Sequence, residues 1–412
     1  VRIAICNALY PTPDDPLIFG GAEVFVRQFA EELVQRGDTV TVLRASLKGR
    51  RSTENVNGVT VEFIPVRNLF PPFEERKNPL VRLAWHAIDD RIHASGEIQR
   101  ILDAFAPDLL HSHTLNGLST DVWRMAKRLE LPILHTMHDY YLICPKCSRF
   151  KSGASCQATC GSCRVLSDNR RRRTALVDAV VSVSQRTLDI HRENGVFDGS
   201  KPTYVVRNVP NPAIVFSELT HGPGPLTIGY LGRFSEEKGV RLLLEAVACL
   251  RPGSVRLLLA GRVSDAEKET LKALAPEADV DFVGFVSPSD FYRQVQVVVM
   301  PSIWHEPGSL ALVDALAAGR PVIGTPFGGI PEIIEDGVTG WIAEATPQGM
   351  SAAISRLVAE PRLVVAAHEA LAEKRHARRA FSDVVDDYQS IYSSLLRGRS
   401  NSPGTAAVLP LK

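Results

Sequence analysis

The sequence has no apolar run long enough to span a bilayer. Its first residues, Val1 to Cys6, already read as a strand, so no signal peptide is expected. Net charge is nearly absent: 47 Lys and Arg stand against 46 Asp and Glu, a formal +1, which offers nothing for a nucleic acid to select. The expected compartment is therefore cytoplasmic, with the chain free or resting on the inner face of a membrane. Seven cysteines in that setting are expected as thiols or metal ligands rather than disulfides. At 412 residues the chain exceeds what one hydrophobic core serves, so two domains are expected.

What is present is a repeated strand–loop–helix pattern, clearest from Pro301 to Glu332. An apolar run, Val295 to Met300, stops at a proline, as a buried parallel strand does. A short polar loop holds Glu306. A small-residue helix then runs from about Ser309 to Ala318, closed by Gly319 and followed by Pro321 and a strand to Thr325. The amides of Gly308, Ser309 and Leu310 open that helix and form a ready anion site. Asp314 lies further along it.

An earlier strand, Leu226 to Leu231, leads into Gly232-Arg233-Phe234-Ser235-Glu236-Glu237-Lys238-Gly239. An arginine and a lysine five apart at a strand-to-helix turn can grip a diphosphate, one as a fork of donors and the other as a point charge. Ser217 to Pro225, rich in Gly and Pro, reads as a linker before it.

The first half carries sparser signals. Arg2 to Ala8 is a strand, and Gly20-Gly21 precedes a helix from about Ala22 to Arg36 with Phe25, Val26, Phe29, Ala30 and Leu33 on one face. The glycine pair permits close approach of a phosphate, or is a plain tight turn. Further strands are expected at 39–45, 59–66, 132–138 and 177–184. In the segment 107–113, His111 and His113 are two apart and face the same way near a strand end. His138-Asp139 falls at another strand end. The pairs Asp14-Asp15 and Asp89-Asp90 read as loop or helix surface. Arg170 to Arg173 reads as a solvated helix face, with an anionic surface as the alternative. Cys144-x2-Cys147 and Cys160-x2-Cys163 are two knuckles separated by 12 residues. They predict a structural zinc in a Cys-rich insert at about 144–163, with an iron–sulfur cluster less favoured and Cys156 as a substitute ligand.

Together these segments resemble the retaining glycosyltransferases of the GT4 type. The run Glu306-Pro307 through Asp314-Ala315, with Gly319, Pro321, Val322 and Ile323, is similar to that family's donor motif, except that the second acid is an aspartate in place of glutamate. Gly232 to Gly239 is similar to its G-R-x-x-x-x-K-G signature. Gly20, Gly21 and Glu23 match its G-G-x-E loop, and 107–113 its P-D-x-x-H-x-H. The resemblance implies an α/β chain of GT-B fold, two Rossmann-like αβα domains facing across a cleft. The acceptor domain would span 1–216 and the nucleotide-sugar domain 226–380. A helix, 381–396, would return to the first domain, and 397–412 would be a disordered tail.

It also implies transfer of a sugar from a nucleotide sugar to a hydroxyl with retention of configuration. The acceptor would be a sugar, a lipid-linked molecule or a small molecule, and peripheral membrane contact would follow. Glu306 would contact the donor sugar and Asp314 the ribose. His113 would sit near the reacting sugar, and His138 on the acceptor side. No Asp-x-Asp motif stands beside a nucleotide-binding segment, so no cofactor is expected for catalysis. A sugar-nucleotide epimerase of the same fold is the enzymatic alternative, and a non-catalytic metal-binding scaffold the other.

Overall fold

The computed structural model describes residues 1–15, 20–72, 78–91, 95–197, 199–219 and 224–398. The predicted tail beyond 398, part of the predicted linker and Phe19 lie outside the described residues. The chain divides into two units: Val1–Arg149 with Gln157–Arg207 and Ser382–Lys412, and Phe150–Cys156 with Asn208–Phe381.

Strands number along the chain as β1 (Arg2–Cys6), β2 (Thr39–Ser46), β3 (Ser52–Val56), β4 (Val59–Pro65), β5 (Leu109–Ser112), β6 (Ile133–Met137), β7 (Phe150–Lys151), β8 (Ala154–Ser155), β9 (Ala179–Ser182) and β10 (Thr203–Val205). The first unit holds an eight-stranded sheet in the order β10-β9-β6-β5-β1-β2-β4-β3. All neighbours pair parallel except β3, an edge strand antiparallel to β4. β3 was not expected from sequence, because its polar run Ser52–Asn55 has no buried face to mark it. The central strands β5 and β6 are buried along their whole length, as helices on both faces of a parallel sheet require.

The chain leaves β1 toward β2 and β4, then returns to β5 on the other side of β1. That reversal is a topological switch point, where an open α/β sheet gathers ligands at its carboxyl end.

The second unit repeats the plan with β11 (Leu226–Leu231), β12 (Val255–Ala260), β13 (Asp279–Gly284), β14 (Val297–Met300), β15 (Val322–Gly324) and β16 (Gly340–Ile342). The order is β13-β12-β11-β14-β15-β16, all parallel. Alternate residues of β14 enter different cores: Val297 and Val299 join one buried cluster, Val298 and Met300 the other. The sheet is thus sandwiched between two apolar layers. Its switch point lies between β11 and β14.

Two sequence expectations are overturned in the first unit. Asp89 and Asp90 are buried, not surface residues. Arg170 is fully buried rather than on a solvated face. Its Nη2 donates to Asp89 Oδ2 at 2.9 Å, its Nη1 to Tyr141 O at 3.1 Å, and its guanidinium stacks 3.8 Å from the Tyr141 ring centroid. Asp89 also accepts from Gly117 N and Tyr141 Oη. Asp90 accepts from Ser119, Thr120 and Arg173. Charge runs look alike in sequence whether solvated or buried, because the partners arrive from distant segments. Arg170→Met leaves the Asp89 carboxylate uncompensated, at an expected cost of about 3–5 kcal/mol in stability. Urea unfolding measures it, and Asp89→Asn combined with Arg170→Met should recover a large part. A single variant as stable as the wild type would refute this role.

Asp15 likewise pairs with the buried Arg44, Nη2 to Oδ2 at 2.8 Å.

Candidate active site

The loop after β11 and the loop after β14 meet at the switch point of the second unit. Ile303 N donates to Glu237 O at 3.0 Å and ties them together. The Lys238 ammonium lies 2.8 Å from Glu306 Oε1 and 2.6 Å from Oε2. Both side chains are largely buried, at 16% and 7% exposed. Two further donors reach Glu306 Oε2: Trp304 Nε1 at 3.0 Å and Ser302 Oγ at 3.3 Å. Arg233, half exposed, pairs with Glu237 at 3.3 Å.

Two glycines make this convergence sterically feasible. Gly239 has φ +72°, and a Cβ there would stand 1.9 Å from Pro301 O, so only glycine lets the Lys238 turn rest on the end of β14. Gly328 has φ +63°, and a Cβ would stand 2.1 Å from Glu306 O. Gly329 N donates to that same oxygen at 2.7 Å. The Gly-Gly turn after β15 therefore holds the Glu306 backbone. Neither Trp304 nor Gly328 was expected at the site. Both lie inside the motif-bearing stretch, but a ring nitrogen and a missing side chain give no periodic signal.

Ser309 caps the helix Leu310–Ala317, its side chain accepting from Leu312 N at 3.3 Å. The first-turn amides open at the same end of the sheet as Glu306. Asp314 is the residue to which the resemblance gives the ribose contact. It is buried, and its Oδ1 accepts from Asn211 N at 2.8 Å. Burial without a nearby cation pushes its carboxyl up to about 6. The side chain, one methylene shorter than glutamate, is committed in this structure to the segment preceding the domain. Asn208 Nδ2 donates to Gly308 O at 3.1 Å beside it. The Asp-x-Asp of β13, Asp279 and Asp281, pairs with Arg256 on the neighbouring strand.

In the first unit His113 follows β5 at the switch point, its backbone N donating to Cys6 O. Its Nδ1 lies 2.9 Å from His138 Nε2, and the rings stack with centroids 5.1 Å apart. Burial pushes both imidazoles down, His138 to about 4. Both are neutral at pH 7, so one donates and the other accepts. The buried His113 Nε2 has no hydrogen-bond partner among the described residues. His111 is buried between Tyr392 Oη at 2.6 Å and Thr136 Oγ1 at 2.8 Å. Gly20 is the N-cap of the helix Gly21–Gln35 and donates its N–H to Glu23 Oε2 at 2.8 Å.

The cysteines of the predicted metal centre are partly brought together: Cys163 hydrogen-bonds to both Cys144 and Cys160. Among the described residues no three His, Cys, Asp or Glu stand where they could hold a metal ion. Cys147 Sγ accepts from Asn116 Nδ2 at 3.1 Å, and burial pushes its thiol well up. Cys144 and Cys163 hydrogen-bond to each other, which pulls Cys144 down. Cys160 is exposed, and Cys156 groups with the other unit. The 144–163 stretch contains the small β7–β8 hairpin and leads into the short helix Gly161–Leu166. The two Cys-x2-Cys knuckles meet through Cys144 and Cys163, while Cys147 turns to Asn116.

Two α/β units, each with polar residues gathered at the switch point of its sheet, set the fold class, and comparison with known proteins gives the family. Residues 19–209 match the family described as Glycosyltransferase Family 4, and residues 225–360 match Glycosyl transferases group 1. The chain belongs to this glycosyltransferase family. It is 30% identical to a D-inositol 3-phosphate glycosyltransferase of Mycolicibacterium smegmatis, over 79% of this chain and 75% of that protein. It is also 30% identical to an uncharacterized 42.6 kDa protein in the cps region of Klebsiella pneumoniae, over 81% and 87%. In structure it is similar to sucrose-phosphate synthase from Thermosynechococcus elongatus, with TM-score 0.76, 19% identity and coverage of 96% and 99%. It is also similar to Anabaena HepE in complex with UDP and glucose, with TM-score 0.65, 18% identity and coverage of 95% and 99%. These solved structures share the GT-B fold.

Proposed function

We propose that this protein transfers a sugar from a nucleoside diphosphate sugar to a hydroxyl acceptor with retention of configuration. The observation that carries this reading is the Lys238–Glu306 pair at the switch point of the second unit, beside the start of the helix Leu310–Ala317. Lys238, Arg233 and the amides of Ser309 and Leu310 supply positive potential for a departing diphosphate. Glu306 accepts from hydroxyls of the donor sugar. The reading takes same-face attack, without a carboxylate nucleophile and without an added cofactor for catalysis. His113, neutral and with an open Nε2, exchanges a hydrogen bond with the reacting sugar, and His138 sets its tautomer. Gly20 and Gly21 border the donor phosphates and the acceptor.

The acceptor is a sugar or a lipid-linked molecule. The helix Pro79–Asp89 exposes Leu80, Val81 and Leu83 around Arg82, a face suited to an anionic membrane surface. Among the described residues no helix is long and apolar enough to cross a membrane. HepE was solved with UDP and with UDP-glucose, which makes uridine diphosphate sugars the first donors to try.

Thermal stabilisation by UDP, GDP, ADP and CDP tests the reading. One of them is expected to raise Tm, and Arg233→Ala should weaken that binding by about tenfold or more, the value of a charge-assisted hydrogen bond. No shift with any of the four would sink it. The anomeric configuration of the product tests retention, and a donor-only incubation separates transfer from epimerisation.

A further inference from the structure

The Glu306 carboxylate is unevenly loaded. Its Oε2 accepts from Lys238, Trp304 and Ser302, whereas Oε1 accepts from Lys238 alone among the described contacts. A carboxylate offers about four lone-pair sites over its two oxygens, so Oε1 retains capacity that Oε2 has spent. The Lys238 ammonium has three donors and turns two of them to Glu306, so a diphosphate that takes the cation competes with the carboxylate for it. In the free protein the carboxylate stands in for the phosphate as the partner of the ammonium. When Lys238 turns away, the groups left on Glu306 are the indole N–H of Trp304 and the weaker Ser302 hydroxyl.

We infer that Trp304 is a positioning residue that holds Glu306 in place while Lys238 passes from the carboxylate to the donor diphosphate. This rests on the reading of the site as a nucleotide-sugar site. Trp304 is fit for the task in three ways. It is 7% exposed, so water does not compete for its N–H. It is two residues from Glu306, and the intervening His305 Nδ1 accepts from Gly328 N at 3.3 Å, which fixes the loop. Its ring lies 5.3 Å from the Lys238 ammonium, so the same side chain attracts the cation on its face and the anion on its edge. Oε1, left open, is then the oxygen that meets a sugar hydroxyl.

The indole proton of Trp304 in a 1H–15N spectrum reports the bond directly. Its resonance is the indole signal that Glu306→Gln displaces, and Trp304→Phe removes it. In Lys238→Met it is expected to stay at its wild-type position, because the indole holds the carboxylate without the lysine. A move to the Glu306→Gln position in Lys238→Met would overturn the inference. Saturating the wild type with the nucleoside diphosphate selected by the screen should also leave it in place.

Trp304→Phe keeps the ring and deletes the N–H. With the donor that the screen selects, its kcat is expected to fall by about tenfold or more, the loss of one charge-assisted hydrogen bond, with nucleoside diphosphate affinity within about twofold of the wild type. An unchanged kcat, or an equal loss of nucleotide affinity, would also overturn it. If no nucleotide binds the wild type, the functional reading fails, while the Lys238→Met spectrum still decides the role of Trp304. That spectrum uses the native tryptophan, so it stands even where Trp304→Phe fails to fold.

Discussion

Lys238→Ala is expected to lower kcat by about a hundredfold to a thousandfold, the range seen when one preorganised donor to developing charge is removed. The alanine has two consequences. It deletes the cation aimed at the leaving diphosphate, and it strips Glu306 of its closest partner, 2.6 Å away. Glu306→Gln is expected to lose a similar amount. The amide keeps the shape but can no longer accept from Lys238, Trp304 and Ser302 on two charged oxygens. Because the two side chains touch, the double variant should cost far less than the product of the single losses. Release of nucleoside diphosphate in the presence of acceptor measures all three. A Lys238→Ala enzyme retaining more than about a tenth of wild-type kcat would show that Lys238 contributes no more than an ordinary neutral hydrogen bond.

Mild acid is expected to unfold the first unit well before the chain's carboxylates are protonated in bulk. Six of its histidines are held below their ordinary value by burial: His86, His138 and His191 to about 4, His135 to about 3, and His111 and His113 well below 6.5. Several neighbours add like charge, as His135 and His138 do to His111 and Arg170 does to His86. A depressed folded value means that the unfolded chain binds more protons between about pH 4 and 6.5. The stability these residues contribute is complete above pH 6.5 and is lost as pH falls through that window. Each loses about 1.4 kcal/mol per pH unit inside it. The carboxyls of Asp89 and Asp139, the latter at about 6, are raised by burial and act with opposite sign, offsetting part of the loss. Six groups outweigh two, and a total stability of about 5–15 kcal/mol leaves little reserve. The first thermal transition should fall by about 10 °C or more between pH 7.5 and 5.0. Proteolysis at pH 5.0 should cut first in the unit containing these histidines. A transition temperature flat across that range would refute the account.

The backbone plan of the second unit was largely set by local sequence. Leu226–Leu231 and Val295–Met300 are largely apolar short runs that read as strands, and Ser309, Gly319 and Pro321 mark where a helix begins and ends. The motif glycines belong there for a local steric reason, as Gly239 shows against Pro301. Position along the chain, however, does not say which loops face one another. Lys238 and Glu306 are 68 residues apart and meet only because β11 and β14 pair in the sheet. The same pairing logic brought His113 and His138 together across β5 and β6, two strands that are neighbours in space.

Where residues of one type have two stable fates, tertiary structure alone chose. Arg170 and Asp89 are an ordinary surface run until Tyr141 and Gly117 close around them. Asp314 turned to Asn211 because its shorter arm reaches a backbone amide within its own unit. The spacing of the cysteines is local, but which of them meet is not: Cys144 reaches Cys163, while Cys147 lies against Asn116. Periodicity and turn chemistry act over a few residues, so sequence determines elements and their ends. Pairing between strands acts over the whole domain, and that pairing decided which side chains share a site.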